Sequence, residues 1–257
     1  MSECTCKKCG KTFTPAKTTP IKADLIFCDP PYNVDYHGEK HGGILNDAMS
    51  ADAFIAFSEC FMARMAAATK EGGSFYICSG YSSYPPFLYA LKKAGMTYSG
   101  PIIWIKDNPS MGWQDYKKKH EMILKAKKEK RRATPIMYGW NGGRHYFLED
   151  RFEADVWEIK RRPGSTMLHP TQKPLAMICR AIRNSSRAGE IVLDPFGGSG
   201  STLIAAEREG RKARVIELDP KYVDVIIRRY AAFTETPEAE IRATRRRINP
   251  DVDGGPG

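Results

Sequence analysis

The segment Asp29-Pro-Pro-Tyr32 places an acid, a rigid elbow and an aromatic ring side by side. It follows Asp24-Leu-Ile-Phe-Cys28, a short apolar run typical of a buried strand. Because two consecutive prolines remove two backbone donors and restrict φ to about −65°, the strand has to end there. In open α/β sheets, ligands bind beyond the carboxyl ends of the strands. We therefore predict that Asp29 and Tyr32 face a bound ligand.

A second candidate site is the glycine-rich turn within residues 191–202, IVLDPFGGSGST. The pattern predicts a strand, a turn and the start of a helix. Gly198 and Gly200 would allow a ligand close to the backbone, and the helix would offer free N–H groups. The next predicted strand ends at Glu217, about twenty residues beyond the glycines. This is the βαβ arrangement that binds nucleosides, in which the acidic residue accepts the ribose hydroxyls.

Three ligand classes use a glycine turn of this kind. A phosphate-binding P-loop needs a lysine before its Ser or Thr, whereas Gly200 stands directly before Ser201. A dinucleotide fold needs a third glycine, whereas position 203 is leucine. A nucleoside without a pyrophosphate, such as S-adenosylmethionine, fits both departures. A turn with no ligand is the structural alternative, but it leaves Asp194, Glu217 and the Asp-Pro-Pro-Tyr segment unexplained.

The composition indicates a globular protein with an anionic partner. The 257 residues are 42% hydrophobic and 27% charged, as in ordinary folded domains. The formal net charge of +10 favours a polyanion, although charge alone does not separate DNA, RNA and an anionic membrane. No apolar run is long enough to span a bilayer and the N-terminus has no apolar signal core, so we expect a cytoplasmic protein.

The seven cysteines suit a reducing compartment. Four lie in apolar segments and are expected to be packed free thiols: Cys28, Cys60, Cys78 and Cys179. Three stand near the start, Cys4, Cys6 and Cys9, and Cys6-x-x-Cys9 resembles half of a zinc knuckle. A structural zinc site needs four ligands, and His37 and His41 are separated from the cysteines by the predicted strand and the elbow. We predict no metal, and a zinc site on the three cysteines is the alternative left open.

Hydrophobic periodicity predicts alternating strands and helices. The predicted strands cover residues 24–28, 74–78, 98–105, 120–126, 191–193 and 213–218, and the predicted helices cover 51–69, 86–94, 174–184, 201 onward and 222–233. The middle of the chain lacks a clear period and is rich in basic, glycine and aromatic residues. We therefore predict an insertion there.

Four stretches together resemble one known family, the S-adenosylmethionine-dependent amino-methyltransferases of DNA. They are Asp29-Pro-Pro-Tyr32, His169-Pro-Thr-Gln-Lys-Pro174, Asp194-Pro-Phe-Gly-Gly-Ser-Gly-Ser-Thr202 and the acidic strand end at Glu217. The first stretch precedes the glycine turn, as in the β-class of the family, and the resemblance covers residues 23–233. It implies an α/β fold of the class I methyltransferase type, with a Rossmann-like, doubly wound, mostly parallel sheet and a basic target-recognition insertion.

The resemblance also implies an organisation and a set of partners. The organisation is a short cysteine-bearing extension (residues 1–20), a methyltransferase domain (21–236) with its insertion at about 127–165, and a basic, loose C-terminal tail (237–257). The partner is double-stranded DNA, with no membrane, in the cytoplasm of a bacterium or encoded by a phage. A homodimer and a cognate restriction endonuclease are further partners that the resemblance suggests.

For catalysis, the resemblance implies methyl transfer to the exocyclic N6 amine of adenine in a specific DNA sequence. The Asp29 carboxylate and the Pro30 carbonyl would accept the two amine hydrogens, while Pro30 and Pro31 keep that geometry rigid. Tyr32 would stack on the base. The base has to be flipped out of the duplex, and transfer is then a direct in-line displacement from the sulfonium.

For the cofactor, the resemblance implies contacts from the glycine turn, the acidic strand end and the segment before residue 175. The residues are Asp194, Pro195, Phe196, Gly197, Gly198, Gly200, Ser201, Thr202, Glu217, Asp219, His169, Thr171 and Lys173. Thr171 and Lys173 would lie near the methionine end of the cofactor. The alternative for His169 is that it orders its own loop, and the alternative for Asp219 is an ordinary turn.

The basic residues of the middle of the chain are the predicted DNA contacts. Lys117, Lys118, Lys119, Lys127, Lys128, Lys130, Arg131 and Arg132 would follow the phosphates, and Trp140 and Arg144 would contact bases. A solvated charged face is the alternative for the lysine-rich run.

Other activities are compatible with parts of this pattern. Methylation of cytosine at N4 uses equivalent chemistry, although that subgroup more often has Ser in place of Asp29. RNA and protein-glutamine methyltransferases more often have Asn-Pro-Pro-Tyr. A DNA-binding relative without catalysis is disfavoured by the intact Asp29, Tyr32 and Glu217, and a dehydrogenase is disfavoured by the missing third glycine.

Overall fold

The computed structural model describes residues 4–5, 12–13, 22–35, 37–38, 42–43, 47–106, 132–148, 154–160 and 172–244. The predicted strand at 120–126 lies outside the described residues, as do Cys6, Cys9, His41, His169, Thr171 and most of the basic run. Within the described ranges, no three His, Cys, Asp or Glu side chains converge as a metal site. No described helix is long and apolar enough to cross a membrane.

Seven strands form the central sheet, and two short antiparallel ladders are separate from it. The ladders are β1 (Cys4–Thr5) with β2 (Thr12–Phe13), and β4 (His37–Gly38) with β5 (Gly42–Gly43). The sheet contains β3 (Ala23–Cys28), β6 (Thr69–Cys78), β7 (Thr97–Lys106), β8 (Arg132–Trp140), β9 (Val156–Glu158), β10 (Ile191–Asp194) and β11 (Lys212–Val215). Their spatial order is β11-β10-β3-β6-β8-β7-β9.

Strand β8 runs opposite to the other six strands of the sheet. Asp29 follows the end of β3 at what we call the carboxyl edge, and β7 ends at the same edge with Lys106. Strand β8 starts there, with Arg132 opposite Lys106, and ends at the other edge, the amino edge, with Trp140 opposite Ser74. The two ends of β8 are therefore roughly 27 Å apart, at about 3.4 Å per residue.

Helices cover both faces of the sheet. They are α1 (Ala51–Ala68), α2 (Tyr84–Lys93), α3 (Leu175–Ser185), α4 (Ser201–Arg208), α5 (Pro220–Thr234) and α6 (Glu238–Thr244). Because successive side chains of a strand point to opposite faces, β3 contributes to two cores. Leu25 and Phe27 belong to the core formed with α3 and α4, whereas Ile26 and Cys28 belong to the core formed with α1 and α2. The prediction of a doubly wound, mostly parallel α/β sheet is confirmed.

Most predicted elements are confirmed with shifted bounds. The largest shift near the site is in β11, which ends at Val215, so Glu217 follows the strand and does not lie within it. The Ile216 N–H still donates to the Asp194 carbonyl at 2.9 Å, which continues the alignment of β11 with β10.

The prediction of an insertion at about 127–165 is wrong for residues 132–140 and 156–158, which are strands of the central sheet. Strand β8 has no clear sequence period because Pro135 and Gly139 interrupt it. A Cβ on Gly139 would lie 2.0 Å from the Thr97 carbonyl oxygen, so the close pairing of β8 with β7 requires glycine there.

Two smaller predictions are also wrong. Residues 238–244, predicted to lie in a loose tail, form α6, which is joined to α5 by an ion pair between Arg242 and Asp224 at 2.7 Å. Cys60 is exposed, because it lies off the buried face of α1. The other three thiols that were expected to be packed, Cys28, Cys78 and Cys179, are buried.

Candidate active site

Asp29 and Tyr32 are in direct contact at the carboxyl edge. The Tyr32 hydroxyl donates to Asp29 Oδ1 at 2.5 Å. Burial and the neighbouring Asp29 charge hold the pKa of Tyr32 well above its usual value, so this hydroxyl stays protonated and remains a donor. Pro30 is buried and Pro31 is half-buried, which holds the elbow against the protein. The predicted juxtaposition of acid, elbow and aromatic ring is therefore present.

The elbow is attached to the segment that leads into α1. Asn33 lies in the left-handed region with φ 58°, a conformation that Asn tolerates better than most residues. Its side chain accepts from the Met49 N–H at 2.5 Å and donates to the Met49 carbonyl at 3.0 Å. Its own N–H donates to Oδ1 of the buried Asp47 at 2.8 Å. These bonds fix the direction in which the chain leaves Tyr32. Neither Asn33 nor Asp47 was predicted from the sequence.

The Tyr32 ring lies against Gly80, just beyond the end of β6. A Cβ on Gly80 would lie 3.1 Å from Tyr32 Cδ2, so a larger residue would push the ring away. The Gly80 N–H donates to Ser83 Oγ at 2.9 Å, which holds this turn in place. Strands β3 and β6 together therefore position the aromatic ring.

Lys173 also reaches the Asp29 carboxylate. Its Nζ forms an ion pair with Asp29 Oδ2 and lies 5.8 Å from the centre of the Tyr32 ring. The two side chains are only 10% and 20% exposed. The resemblance predicted a cofactor contact for Lys173, and the structure brings it to Asp29. The neighbouring candidates His169 and Thr171 are not among the described residues.

Asp194 closes the glycine turn. Its two carboxylate oxygens accept from the Phe196 N–H at 2.9 Å and from the Thr202 hydroxyl at 2.6 Å. Burial raises the pKa of Asp194 to about 7, the two hydrogen bonds oppose that rise, and the charges of Asp29 and Glu217 add to it. Both carboxylate oxygens of Asp194 are thus hydrogen-bonded within the protein, one to the turn and one to helix α4.

Glu217 holds the other side of the turn. Its Oε2 accepts from the Gly198 N–H at 2.6 Å and its Oε1 accepts from the Asp219 N–H at 2.8 Å. Burial raises the pKa of Glu217, partly offset by these hydrogen bonds. Because each carboxylate oxygen has two acceptor sites, Glu217 can still accept hydroxyls from a ligand. The adjacent Leu218 side chain is 70% exposed and offers apolar surface beside it.

The backbone of the turn requires glycine at two positions. A Cβ on Gly197 would lie 2.5 Å from Val215 Cγ1, and Gly200 has φ +78°. The Gly197 N–H donates to the Ile216 carbonyl at 2.8 Å. The turn therefore lies directly on the end of β11, and helix α4 starts at Ser201.

Side chains from neighbouring elements also contact the turn. Arg229 of α5 donates through Nη1 to the Ser199 carbonyl and to Ser199 Oγ; it was not predicted. The Phe196 ring packs edge-on against Phe61 of α1, with centroids 5.2 Å apart. Asp219 is the N-cap of α5 and accepts from the Lys221 N–H at 2.9 Å, and its predicted cofactor contact stays a prediction.

The predicted DNA contacts divide between the two edges of the sheet. Arg132 starts β8 at the carboxyl edge, whereas Trp140 and the exposed Arg144 lie at and beyond its end, at the amino edge. The Trp140 ring stacks on His145 with centroids 3.9 Å apart. The structure therefore does not bring Trp140 and Arg144 near Asp29. Seven candidates, Lys117, Lys118, Lys119, Lys127, Lys128, Lys130 and Arg131, are not among the described residues.

The fold and the site define a Rossmann-like α/β protein with a glycine turn and its acidic residue beside an acidic, aromatic elbow. Glycines at the required positions and an acidic residue behind the turn fit a nucleoside cofactor, and the lack of a P-loop lysine disfavours a nucleotide triphosphate. The chain belongs to the DNA methylase family, whose model matches residues 23–228.

Individual relatives agree with this assignment. DNA adenine methyltransferase YhdJ from Escherichia coli (strain K12) is 29% identical over 259 residues, covering 93% of this chain and 86% of the relative. The crystal structure of the M1.HpyAVI–SAM complex superimposes with a TM-score of 0.61 at 22% identity, covering 82% of this chain and 89% of the other. The PvuII DNA methyltransferase, described as cytosine-N4-specific, gives 0.62 at 17% identity, covering 88% of this chain and 86% of the other.

Proposed function

We propose that this DNA methyltransferase transfers the methyl group of S-adenosylmethionine to the N6 amine of adenine in a specific double-stranded sequence. Membership of the DNA methylase family supports the reaction class. The observation that supports the site is the pairing of Asp29 with Tyr32 at the carboxyl edge, next to the glycine turn. The relative named as a DNA adenine methyltransferase supports adenine as the base.

The amine of adenine is a weak nucleophile because its lone pair is delocalised into the ring. We propose that the Asp29 carboxylate and the Pro30 carbonyl accept hydrogen bonds from its two N–H groups, so that the nitrogen becomes tetrahedral as it gains positive charge and the methylated amine then releases one proton. Preorganised acceptors of this kind typically contribute on the order of 10² to 10³ in rate. Tyr32, held by Gly80 and by its bond to Asp29, offers a fixed ring for the base to stack on.

The cofactor is S-adenosylmethionine, which supplies the methyl group on a sulfonium. The residues that would hold it are Glu217, for the ribose hydroxyls, and the backbone between Phe196 and Gly200. Arg229 and Asp194 keep that backbone in place from either side. The exposed Leu218 provides apolar surface for the base of the cofactor.

Double-stranded DNA would approach the carboxyl edge. The basic segment 107–131 connects Lys106 to Arg132 in the sequence, and these two residues are paired at this edge. The target base has to leave the duplex to reach Asp29, at a cost of a few kcal/mol. Because Trp140 and Arg144 lie at the amino edge, we do not include them in the proposed DNA surface. A homodimer and a cognate restriction endonuclease stay predictions.

The test is the chemical identity of the product. Wild-type protein and Asp29→Ala would be incubated with labelled S-adenosylmethionine and unmethylated DNA, and the digested nucleosides separated. We expect N6-methyladenine from the wild type and little product from Asp29→Ala, with the exposed Asp52→Asn as a control that behaves like the wild type. N4-methylcytosine would overturn the assignment of adenine, and label in RNA alone would overturn both DNA activities.

A further inference from the structure

Both oxygens of the Asp29 carboxylate are engaged by other side chains. The Tyr32 hydroxyl donates to Oδ1 and the Lys173 ammonium pairs with Oδ2. The Tyr32 bond is compatible with catalysis, since it only orients the carboxylate. The Lys173 pair is different, because the ammonium brings a positive charge to the carboxylate that has to stabilise a positively charged amine.

The ion pair also opposes the charge that develops during methyl transfer. The target nitrogen becomes positive as the methyl group arrives, and the Asp29 charge stabilises it only to the extent that it is not already neutralised. In a site where both partners are largely buried, an ammonium on the same carboxylate is screened little by water. While this ion pair is intact, the charge of Asp29 is therefore neutralised and does not stabilise the incoming amine.

Lys173 is able to leave without moving the fold. The next residue, Pro174, is buried at the start of α3 and fixes the backbone there. The side chain beyond it is a flexible four-carbon stem with a compact charge. A largely buried ammonium leaves one anion readily only when another takes its place.

We propose, on the basis of the function proposed above, that Lys173 exchanges partners when the cofactor binds. Lys173 neutralises Asp29 until it pairs with the carboxylate at the methionine end of S-adenosylmethionine, and Asp29 then becomes free to accept the target amine. Lys173 is in this sense a positioning residue that makes capture of the target base dependent on the cofactor. The cofactor therefore binds before the target base enters the pocket.

The test measures how much the target amine contributes to DNA affinity. Digestion of DNA methylated by the wild type first identifies the base and its sequence. The affinity for that duplex is then divided by the affinity for a duplex in which the target base lacks its amine, purine for adenine or pyrimidin-2-one for cytosine. The ratio is measured without cofactor, with saturating methylthioadenosine, which has no amino-acid carboxylate, and with saturating sinefungin, which has one.

For the wild type we expect a ratio near one without cofactor and with methylthioadenosine. With sinefungin the ratio should rise by about ten- to a hundredfold, the range of one hydrogen bond to a charged group. Lys173→Met should show the high ratio in all three conditions, because no ammonium competes for Asp29. Lys70→Met is the matched control, since it breaks an ion pair with Asp24 at the amino edge and should behave like the wild type.

Two results would overturn the exchange. One is a wild-type ratio that is the same with methylthioadenosine and with sinefungin, a comparison that needs no variant and so does not depend on the folding of Lys173→Met. The other is a folded Lys173→Met protein that repeats the wild-type pattern. A wild type that methylates cytosine would contradict only the adenine assignment, because the same ratios then test Lys173 with the cytosine pair of duplexes.

Discussion

The elbow around Asp29 and the glycine turn around Glu217 lie at the same edge of the sheet but are held by different kinds of contact. Asp29 is bound by two side chains, Tyr32 and Lys173, and Lys173 comes from a distant part of the chain. The Glu217 carboxylate accepts from two backbone N–H groups, those of Gly198 and Asp219. The acid of the turn is thus held by the backbone. The acid of the elbow is held by side chains, which can rotate to other partners without a change in the backbone. We interpret the first as the part that holds the cofactor and the second as the part that acts on the target.

The largest expected effect follows from removing the carboxylate of the elbow. Asp29→Ala should lower the single-turnover rate on the order of 10² to 10³, because one preorganised acceptor for the target amine is lost. Affinity for S-adenosylmethionine, measured by calorimetry, should not fall, because Asp29 then no longer competes with the cofactor for Lys173. A fast Asp29→Ala enzyme would show that the amine is activated elsewhere.

The buried Asp194 should make the stability of the turn depend on pH. Burial raises its pKa to about 7, above its ordinary value of 3.8, so between these pH values the folded state holds a proton that the unfolded state lacks. The free energy of unfolding should therefore fall by at most a few kcal/mol as the pH rises towards 7.

Asp194→Asn keeps an acceptor for the Phe196 N–H and cannot ionise, so its unfolding free energy should lose this decline. Chemical denaturation of the wild type, Asp194→Asn and the exposed control Asp52→Asn at pH 5 and pH 8 measures the difference. Parallel pH profiles for all three proteins would show that Asp194 is ionised throughout.

Removing the acid of the turn should affect the cofactor instead of the target. Glu217→Ala loses charge-assisted hydrogen bonds worth about 1.5–3 kcal/mol, so affinity for S-adenosylmethionine should fall roughly ten- to a hundredfold. Calorimetry provides the number, and NAD should not compete with the cofactor in either protein. An unchanged affinity would mean that Glu217 serves only to hold the Gly198 and Asp219 N–H groups.

The smallest effect concerns the basic segment that connects Lys106 to Arg132 in the sequence. Changing Lys127, Lys128 and Lys130 to Gln should weaken binding to all DNA sequences about equally and flatten the plot of log K against log salt by about 0.9 per lost contact. Trp140→Ala, at the amino edge, should leave the slope unchanged. A triple variant with the wild-type slope would return this segment to a solvated charged face.

Local patterns were sufficient to predict the two acidic sites. The strand before Asp29, the glycine turn and the strand before Glu217 each show their character within about a dozen residues, and the structure contains all three. Contacts between distant segments were not predictable in the same way. The bonds of Lys173 to Asp29 and of Arg229 to Ser199 depend on how strands and helices assemble, and no short pattern encodes them.

Strand β8 of the central sheet shows a second limit of prediction from the sequence. Its sequence contains a proline and a glycine, so it lacks the alternation of a typical strand, and it becomes a strand because β6 and β7 pair with it on both sides. Its reversed direction then decides which residues reach the carboxyl edge. That direction separates Trp140 from Asp29, although the sequence places Trp140 close to the basic run.

The most direct test of the division between elbow and turn is the single-turnover methylation rate as a function of S-adenosylmethionine concentration in Asp29→Ala and Glu217→Ala. Glu217→Ala should need more cofactor, but its methylation rate should approach the wild-type plateau, because its target site is intact. Asp29→Ala should saturate at or below the wild-type concentration, with a plateau lower on the order of 10² to 10³. A low plateau in Glu217→Ala, or a wild-type plateau in Asp29→Ala, would contradict this division of roles.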